Sequence, residues 1–267
     1  MSIPESILQK VTLRSHRNNR GIGYDLYFVS YQNKRYVFRI ENSETNSKLK
    51  LNRHRFLLQY ISADYMQQLI QIGILKGRHY FITSYIQGKI PSKLSGVLLS
   101  KIFLVLRKVH TINARGAGHV YPDFLKGNCA NWKLFIENTL SNLKDTKFQS
   151  ELFQLNQMYN ELKSILQHRE AHSLLHGDLN KNNIIIKDGK IYLLDWENAL
   201  IGDSLADYAI LDNFFELNIL NRSHWLSTES SLITFYKRFF LIKEIDYKKN
   251  HGMSVKEDIK KLHKIMI

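Results

Sequence analysis

The sequence predicts an α+β protein of two lobes, the first with a five-stranded antiparallel sheet and one helix, the second mainly helical with one hairpin. Three observations predict this class. Apolar runs rich in β-branched and aromatic residues, separated by short turns, fill the N-terminal third. Helical spacing of apolar residues dominates after Gly88, and two short apolar runs meet near residue 189. We therefore place the lobes at 1–87 and 88–267.

The first lobe contains six predicted elements. Short runs bounded by turn residues favour strands, whereas the apolar residues from Leu49 to Ile61 recur at helical spacing. The expected elements are strands at 8–15, 24–31 and 35–40, a helix at 46–62, and strands at 66–74 and 78–86.

The second lobe is predicted to consist of helices around one hairpin. The hairpin spans 183–197. In it, the strand "NIIIK" leads through the turn "DGK" into the strand "IYLLDWE". The Gly-containing segment 113–128 is expected to be a loop. The expected helices lie at 93–110, 131–143, 150–168, 203–218, 228–243 and 254–265.

Composition limits the class of protein. The chain has 267 residues, one cysteine and a formal net charge of +14. A single cysteine excludes an intramolecular disulfide framework and suits a reducing compartment. No apolar run approaches the roughly 20 residues of a membrane span, and the N-terminus lacks a leader pattern. We expect a cytoplasmic monomer without a membrane partner. The basic residues are spread widely, so we do not expect nucleic acid as a partner.

The distribution of charge is more informative than its total. Residues 191–221 contain no Lys or Arg in a chain that has 38 of them. The acidic residues of this segment, here called the acidic island, suggest a site that holds metal ions or a cationic substrate. They are Asp195, Glu197, Asp203, Asp207, Asp212 and Glu216.

Oxygen-bearing side chains are expected to converge at the open end of the hairpin. Asn183 begins one strand and Asp195 ends the other, so the antiparallel pairing would bring them close together. Asp178 lies on the preceding loop. Carboxylate and amide oxygens suit Mg²⁺, with phosphate oxygens completing its shell.

These residues carry a resemblance to a known family. "HGDLNKNN" (176–183) followed by "LLDWE" (193–197) is similar to the H-x-D-x-x-x-x-N and D-F-G pair of the protein-kinase-like fold. The wording resembles the aminoglycoside phosphotransferase and choline kinase family, and within it the hygromycin B phosphotransferase-like enzymes. The similarity extends over about residues 23–215, so the resemblance implies a two-lobed protein-kinase-like fold.

The resemblance also implies site residues and cofactors. Asp178 would be the general base or orienting group for an acceptor hydroxyl, and Asn183 and Asp195 would hold Mg²⁺ against the phosphates of ATP or GTP. His176 would support the catalytic loop, and Asp207 would brace that loop or cap the following helix.

The nucleotide side follows the same resemblance with one departure. Arg39 stands where the family has a phosphate-binding Lys, Gly23 could lie over the phosphates, and the base would bind main chain near Ser84 and Ile86. The usual partner Glu is absent from the helix at 46–62. His54 lies near the aligned position, so the ion pair is in doubt. Glu41 or Glu44 could substitute for the missing Glu, or a phosphate-bound Arg needs no such partner.

The acceptor is expected to be a cationic small molecule. Asp212 and Glu216 are four residues apart on a predicted helix, and with Glu197 they could bind ammonium groups. A solvated acidic helix face is the alternative. The first functional hypothesis is a kinase for an aminoglycoside-like antibiotic. The alternatives are a metabolic kinase for choline, a sugar or an amino alcohol, and a non-catalytic nucleotide- or nucleic-acid-binding protein.

Overall fold

A computed structural model of the protein describes residues 3–14, 24–43, 46–143, 148–169, 171–221 and 225–266. The chain forms two compact units. The first unit comprises Met1–Pro91, Tyr121–Phe124 and Asn182–Ala199, and the second comprises Ser92–Val120, Leu125–Lys181 and Leu200–Ile267.

The helices and strands alternate along the chain. In order they are α1 (Glu5–Arg14), β1 (Asp25–Tyr31), β2 (Lys34–Ile40), α2 (Ser47–Leu57), β3 (Leu69–Leu75), β4 (Arg78–Ser84), α3 (Gly96–His110), β5 (Ala117–Val120), β6 (Gly127–Cys129), α4 (Trp132–Asn142), α5 (Gln149–His168), β7 (Ser173–Leu175), β8 (Ile184–Lys187), β9 (Lys190–Leu193), β10 (Leu200–Gly202), α6 (Leu205–Phe215), α7 (Ser227–Asn250) and α8 (Lys256–Met266). Short 3₁₀ turns cover Lys181–Asn183 and Ile219–Asn221.

The first unit is built on an antiparallel sheet of strand order β1-β2-β4-β3. One side of the sheet buries Phe38, Ile40 and Ile82 together with Leu8 of α1. A separate cluster contains Tyr24, Leu51 of α2 and Phe81 of β4. The alternation of side chains along β2 and β4 therefore gives each face of the sheet its own apolar cluster.

The predicted strand at 8–15 is wrong, because residues 5–14 form α1. The sheet consequently has four strands rather than five, and the unit has two helices rather than one. A short apolar run with β-branched residues fits either period, so its contacts decide the outcome. Leu8 is fully buried in the sheet cluster, and the Gln9 side chain donates to Glu5 four residues earlier.

The predicted hairpin is confirmed. Strands β8 and β9 pair antiparallel, with Ile184 opposite Leu193 and Lys187 opposite Lys190. The two turn residues, Asp188 and Gly189, both have positive φ, at 50° and 70°. This backbone matches the two-residue turn that the right-handed twist of a hairpin favours, and Asp-Gly is among its preferred sequences.

The hairpin belongs to the first unit because β8 contacts the chain that follows β4. The Lys89 N–H donates to the Ile186 oxygen at 2.8 Å, and the Ile186 N–H donates to the Lys89 oxygen at 2.9 Å. Our boundary at 87/88 stays a prediction for the lobes. The contact grouping instead breaks first at Pro91/Ser92 and includes 182–199 in the N-terminal unit.

The second unit surrounds helix α6, which is buried from Leu205 to Asn213. A helix that is covered on all sides lies within a core. Helix α7 packs against α6, and the same unit contains a small antiparallel sheet of order β6-β5-β10-β7. The segment 113–128, predicted to be a loop, contains β5 and the first two residues of β6. Strands of three or four residues are too short for their periodicity to be recognised.

Buried polar groups in the second unit form a connected chain of hydrogen bonds. The Trp132 indole N–H donates to the Tyr236 hydroxyl at 2.9 Å, and that hydroxyl donates to Asp203 at 2.9 Å. Arg169 also pairs with Asp203. Because each buried group has a partner, this network fixes α7 against the start of α6 at little desolvation cost.

None of the helices within the described ranges is both long enough and apolar enough to cross a bilayer.

We predict that Gly88→Ala destabilises the protein. Its Cβ would lie 2.4 Å from Ile185 Cγ2 and 2.5 Å from the Ile186 oxygen, and such overpacking costs about 1–3 kcal/mol. Gly96→Ala is the matched control, since its Cβ would meet nothing within 4 Å. Urea unfolding should show a loss for Gly88→Ala and none for Gly96→Ala. Equal stabilities would contradict the close approach of residue 88 to β8.

Candidate active site

At the open end of the hairpin, the main chain of Asn183 pairs with the residue before Asp195. The Leu194 N–H donates to the main-chain oxygen of Asn183 at 2.8 Å, and Asp195 is the next residue. Asn183 is buried, whereas the Asp195 side chain is about one-third exposed, at 34 %. The pairing of β8 with β9 thus sets an amide and a carboxylate at the same end of one hairpin.

Asp195 has an unusual backbone conformation, and the two oxygens of its carboxylate have different surroundings. Its φ is +61°, in the left-handed region that residues other than glycine rarely adopt. Oδ1 accepts a hydrogen bond from the Tyr24 hydroxyl at 2.5 Å and lies 3.7 Å from His54 Nδ1. Oδ2 has no protein partner within the described ranges. One oxygen is therefore held by the protein, and the other remains available to a cation.

Tyr24 is a buried donor to this carboxylate. Burial raises the pKa of Tyr24 well above its usual value, and the nearby charge of Asp195 raises it further. The hydroxyl accordingly keeps its proton at neutral pH and donates it to Oδ1.

Arg39 is a buried cation with neutral partners. Its side chain is 3 % exposed, and it donates to Thr83 Oγ1 at 3.0 Å and to Gln67 Oε1 at 2.9 Å. Its Nε is buried without a hydrogen bond. No described carboxylate pairs with it: Glu41 instead accepts from the main chain of His79, and Glu44 lies outside the described residues.

The predicted base-binding residues differ in whether their main-chain N–H and C=O groups are already hydrogen-bonded. Ser84 donates its N–H to Gln68 at 2.9 Å and accepts at its oxygen from the Gln67 side chain at 3.1 Å. Ile86 is buried, and neither of its main-chain groups has a partner among the described residues. Ile86 therefore offers a free donor and acceptor, whereas the Ser84 N–H is already used. Gly23 lies outside the described residues.

Glu197 is placed against a protein cation rather than a solvent-facing pocket. It is only 9 % exposed, and its main-chain oxygen accepts from Arg53 at 2.6 Å. Burial lowers the pKa of Arg53, and the negative charge of Glu197 opposes that change. The internal partner reduces the capacity of Glu197 to bind an ammonium group of an acceptor.

In the second unit, Asp178 lies on a loop whose polar groups bind one another. Asn180 Nδ2 donates to Asp178 Oδ1 at 2.8 Å, and the Asp178 N–H donates to Nδ1 of the buried His176 at 3.2 Å. His176 therefore contacts the main chain of this loop, and the supporting role that the resemblance implies for it stays a prediction. The expected convergence of Asp178 with Asn183 and Asp195 stays a prediction.

Asp207 braces the same loop from α6. This buried carboxylate accepts from the main-chain N–H groups of His176 and Gly177 at 2.9 and 3.0 Å, and it lies 2.9 Å from His110 Nε2. Burial alone would raise the pKa of Asp207, but the hydrogen bond and charge of His110, the charge of His176 and the Gly177 N–H hold it below its usual range. An ionised Asp207 therefore fixes the loop before Asp178.

Asp212 and Glu216 do not share an exposed helix face, which corrects the prediction. Helix α6 ends at Phe215, and Glu216 follows it in a left-handed conformation with φ +50°. Asp212 is buried beside the Lys237 ammonium group at 2.7 Å. Glu216 is exposed and pairs with Lys264 at 2.9 Å. Each carboxylate is already matched by a lysine of the same unit.

No group of three or more His, Cys, Asp or Glu side chains within the described part of the chain could hold a metal ion by itself.

A sequence model described as the phosphotransferase enzyme family, APH, matches residues 16–220, well over half of the chain. The chain belongs to the phosphotransferase enzyme family. It is a small-molecule kinase that uses a hydroxyl group as acceptor.

Solved structures show that this phosphotransferase has the predicted protein-kinase-like fold. A thermostable mutant of aminoglycoside phosphotransferase APH(4)-Ia, in its apo form, is 17% identical, covers 98% of this chain and 95% of its own, and has a TM-score of 0.75. A ternary complex of such a mutant with AMP-PNP and hygromycin B is 17% identical, covers 92% and 88%, and has a TM-score of 0.72. Choline kinase LicA from Streptococcus pneumoniae is 16% identical, covers 98% and 96%, and has a TM-score of 0.67. None of the curated proteins compared with the phosphotransferase matches it.

Several contacts of this phosphotransferase site escape sequence reasoning. Tyr24 and His110 lie 171 and 97 residues from the carboxylates that they contact, so no local pattern marks them. Gln67 and Thr83 replace a charged partner of Arg39 with neutral oxygens. Asn180 differs from these residues because it lies within the motif 176–183, so its contact with Asp178 could have been predicted from the sequence.

We predict that Asp207→Asn lowers the free energy of unfolding of this phosphotransferase by about 2 kcal/mol at pH 7, because hydrogen bonds to a charged group weaken. The folded pKa of Asp207 lies below the unfolded value of about 3.9. Its contribution is therefore complete above that value and declines as pH falls through the folded pKa.

Urea unfolding from pH 7 to pH 3 should show a difference between wild type and Asp207→Asn that is constant at neutral pH and shrinks below about pH 4. The exposed Asp64 provides the control variant Asp64→Asn, which should stay within about 0.5 kcal/mol of wild type. A difference that persists undiminished to pH 3 would show that Asp207 is not the stabilising charge.

Proposed function

We propose that the protein transfers the γ-phosphate of ATP or GTP, held with Mg²⁺, to a hydroxyl of a small polar acceptor, with an aminoglycoside-like antibiotic as the first candidate. The observation that carries the proposal is the pairing of two features in the first unit. These are the cationic Arg39, buried without a carboxylate, and Asp195, whose Oδ2 lacks a protein partner.

Arg39 is suited to a phosphate group. Burying a guanidinium group costs several kcal/mol unless an anion compensates it, and its two hydrogen-bonded partners here are neutral. A phosphate oxygen would supply the missing charge through a charge-assisted hydrogen bond. Thr83 and Gln67 would keep the guanidinium plane fixed while the phosphate binds.

Asn183 and Asp195 fit a hard divalent cation. Both offer oxygen ligands from one hairpin end, and Mg²⁺ is commonly bound by one or two protein oxygens together with substrate phosphates. When bound, Mg²⁺ neutralises the charge on the phosphates that take part in the transfer. The chain itself contributes the placement of the two oxygens through the β8–β9 pairing.

The base of the nucleotide would bind at Ile86. Its unpartnered N–H and C=O groups can donate to and accept from a purine edge. Ser84 would contribute no N–H, since that group already bonds to Gln68. The main-chain donor for the base would therefore be the N–H of Ile86 and not that of Ser84.

Asp178 would accept or direct the proton of the acceptor hydroxyl. Phosphoryl transfer requires little covalent participation from the protein, so the orientation of this carboxylate matters most. The Asn180 amide fixes one carboxylate oxygen, and His176 and Asp207 fix the loop main chain. Because these contacts precede substrate binding, the group is already oriented.

The aminoglycoside-like acceptor has support from the solved structures rather than from the acidic island. Aminoglycoside phosphotransferase structures match at TM-scores of 0.72–0.75, one of them in complex with hygromycin B, and a choline kinase matches at 0.67. Glu197, Asp212 and Glu216 each face a cation of the chain itself. A choline, sugar or amino-alcohol kinase is the alternative that the choline kinase match favours.

The test is an acceptor panel with purified protein, Mg²⁺ and either ATP or GTP. We expect ADP or GDP formation and a phosphorylated product with at least one aminoglycoside, and loss of about 10²–10⁴ in kcat for Asp178→Asn. A sensitive bacterium expressing the wild type, but not Asp178→Asn, should gain resistance. Transfer to choline or a sugar alone would establish the metabolic alternative. Absence of transfer to every acceptor would contradict the proposal.

A second prediction concerns Arg39. Arg39→Met should raise the nucleotide KM at least tenfold, since a charge-assisted hydrogen bond is worth about 1.5–3 kcal/mol, with little change in the acceptor KM. Arg78→Met is the control: it removes a half-exposed cation of the same sheet, which pairs with Asp25. A nucleotide KM that is unchanged in Arg39→Met would rule out the phosphate contact.

A further inference from the structure

The feature that carries the inference is the meeting of Tyr24 and His54 at a single oxygen of Asp195. The Tyr24 hydroxyl lies 2.5 Å from Asp195 Oδ1 and 3.3 Å from His54 Nδ1, and His54 Nδ1 lies 3.7 Å from the same Oδ1. All three residues belong to the first unit. Oδ2 of Asp195 contacts neither Tyr24 nor His54.

Packing holds the two aromatic residues in place. Tyr24 and His54 are 2 % and 1 % exposed. The His54 ring meets Phe81 edge to face at a centroid distance of 5.0 Å, and Tyr24 shares a buried cluster with Leu51 and Phe81. Since core side chains are close-packed, these rings present their polar atoms to Oδ1 in a fixed position.

Asp195 needs such support because of its backbone. A left-handed conformation at a residue other than glycine costs of order 1–3 kcal/mol and persists where the surroundings impose it. The hydrogen bond at Oδ1 is a contact that holds the Asp195 side chain next to this backbone. A carboxylate held this way can bind a cation through one oxygen without prior rearrangement.

Arg39 is held independently of this group. Its guanidinium carbon lies 5.8 Å from the Tyr24 ring centroid, while its hydrogen bonds go to Gln67 and Thr83. Tyr24 thus stands between the phosphate-binding candidate and the metal-binding candidate but donates only to the latter. A change at the Tyr24 hydroxyl should therefore affect one ligand and spare the other.

We propose that Tyr24 and His54 are positioning residues for Asp195, holding Oδ1 so that Oδ2 alone binds the divalent cation. This inference rests on the proposed function of Asp195. It assigns to helix α2, through His54, control over the metal rather than over the phosphate-binding Arg39.

The test uses the full chain and Mn²⁺ as the probe, with free Mn²⁺ followed by electron paramagnetic resonance in the presence of saturating AMP-PNP. Tyr24→Phe keeps the ring and removes only the hydroxyl. We expect its Mn²⁺ affinity to fall 10- to 100-fold, as is typical when a hydrogen-bond partner of a ligating carboxylate is lost. Metal-free binding of AMP-PNP should stay within twofold of wild type.

Tyr80→Phe is the matched control. Tyr80 is a buried tyrosine of the same unit, and its hydroxyl accepts from Gln71 at 2.9 Å rather than contacting Asp195. The control should bind Mn²⁺ as wild type does. If Tyr24→Phe fails to fold, His54 provides a second comparison: His54→Asn places an amide nitrogen near the position of Nδ1 and should retain affinity that His54→Leu loses.

The outcomes separate the inference from the function on which it depends. Wild-type binding of Mn²⁺ with AMP-PNP and an equal or tighter affinity in Tyr24→Phe would overturn the positioning role and leave the function standing. A loss of metal-free nucleotide binding in Tyr24→Phe would also overturn it, because the effect would not be confined to the cation. Absence of Mn²⁺ binding in wild type would overturn both.

Discussion

The hydrogen bond from Tyr24 to Asp195 is the contact on which the proposed metal site depends. It joins the residue before β1 to the second residue after β9, and the two are 171 positions apart. It also accompanies a left-handed backbone that Asp195 would not adopt readily in isolation. One carboxylate oxygen is thereby fixed and the other left for a ligand. The β8–β9 pairing, the contact of β8 with Lys89 and the burial of Tyr24 all contribute to this arrangement.

The composition of the acidic island suggests a site for external cations, whereas in the structure most of its carboxylates face cations of the chain itself. Asp203 pairs with Arg169, Asp212 with Lys237 and Glu216 with Lys264, and all of these cations come from outside residues 191–221. Asp207 faces His110, and Glu197 faces Arg53. The positive charges beside most of these carboxylates therefore come from other parts of the chain. Asp195 differs from these residues because no lysine or arginine pairs with it among the described residues, and its Oδ2 has no partner there.

The sequence predicts those parts of the structure that depend on local signals. The hairpin follows from two apolar runs around Asp188-Gly189, and Asn183 and Asp195 follow from the motif spacing. The strand prediction at 8–15 is wrong because a short apolar run fits both the helical and the strand period until its contacts select one. The prediction that Asp212 and Glu216 share one helix face is wrong because the helix ends at Phe215. No residue type marks that boundary in the sequence. Tyr24 and His54 could not be assigned, since their roles arise from contacts between distant segments.

A crystal structure of the protein with Mg²⁺ and AMP-PNP tests the central claim most directly. The account predicts Mg²⁺ at about 2.0–2.1 Å from Asp195 Oδ2 and from the Asn183 amide oxygen, with the Tyr24 hydroxyl still bonded to Oδ1. A metal ion bound elsewhere, or a carboxylate of Asp195 that has left Tyr24 and binds the metal through both oxygens, would contradict it.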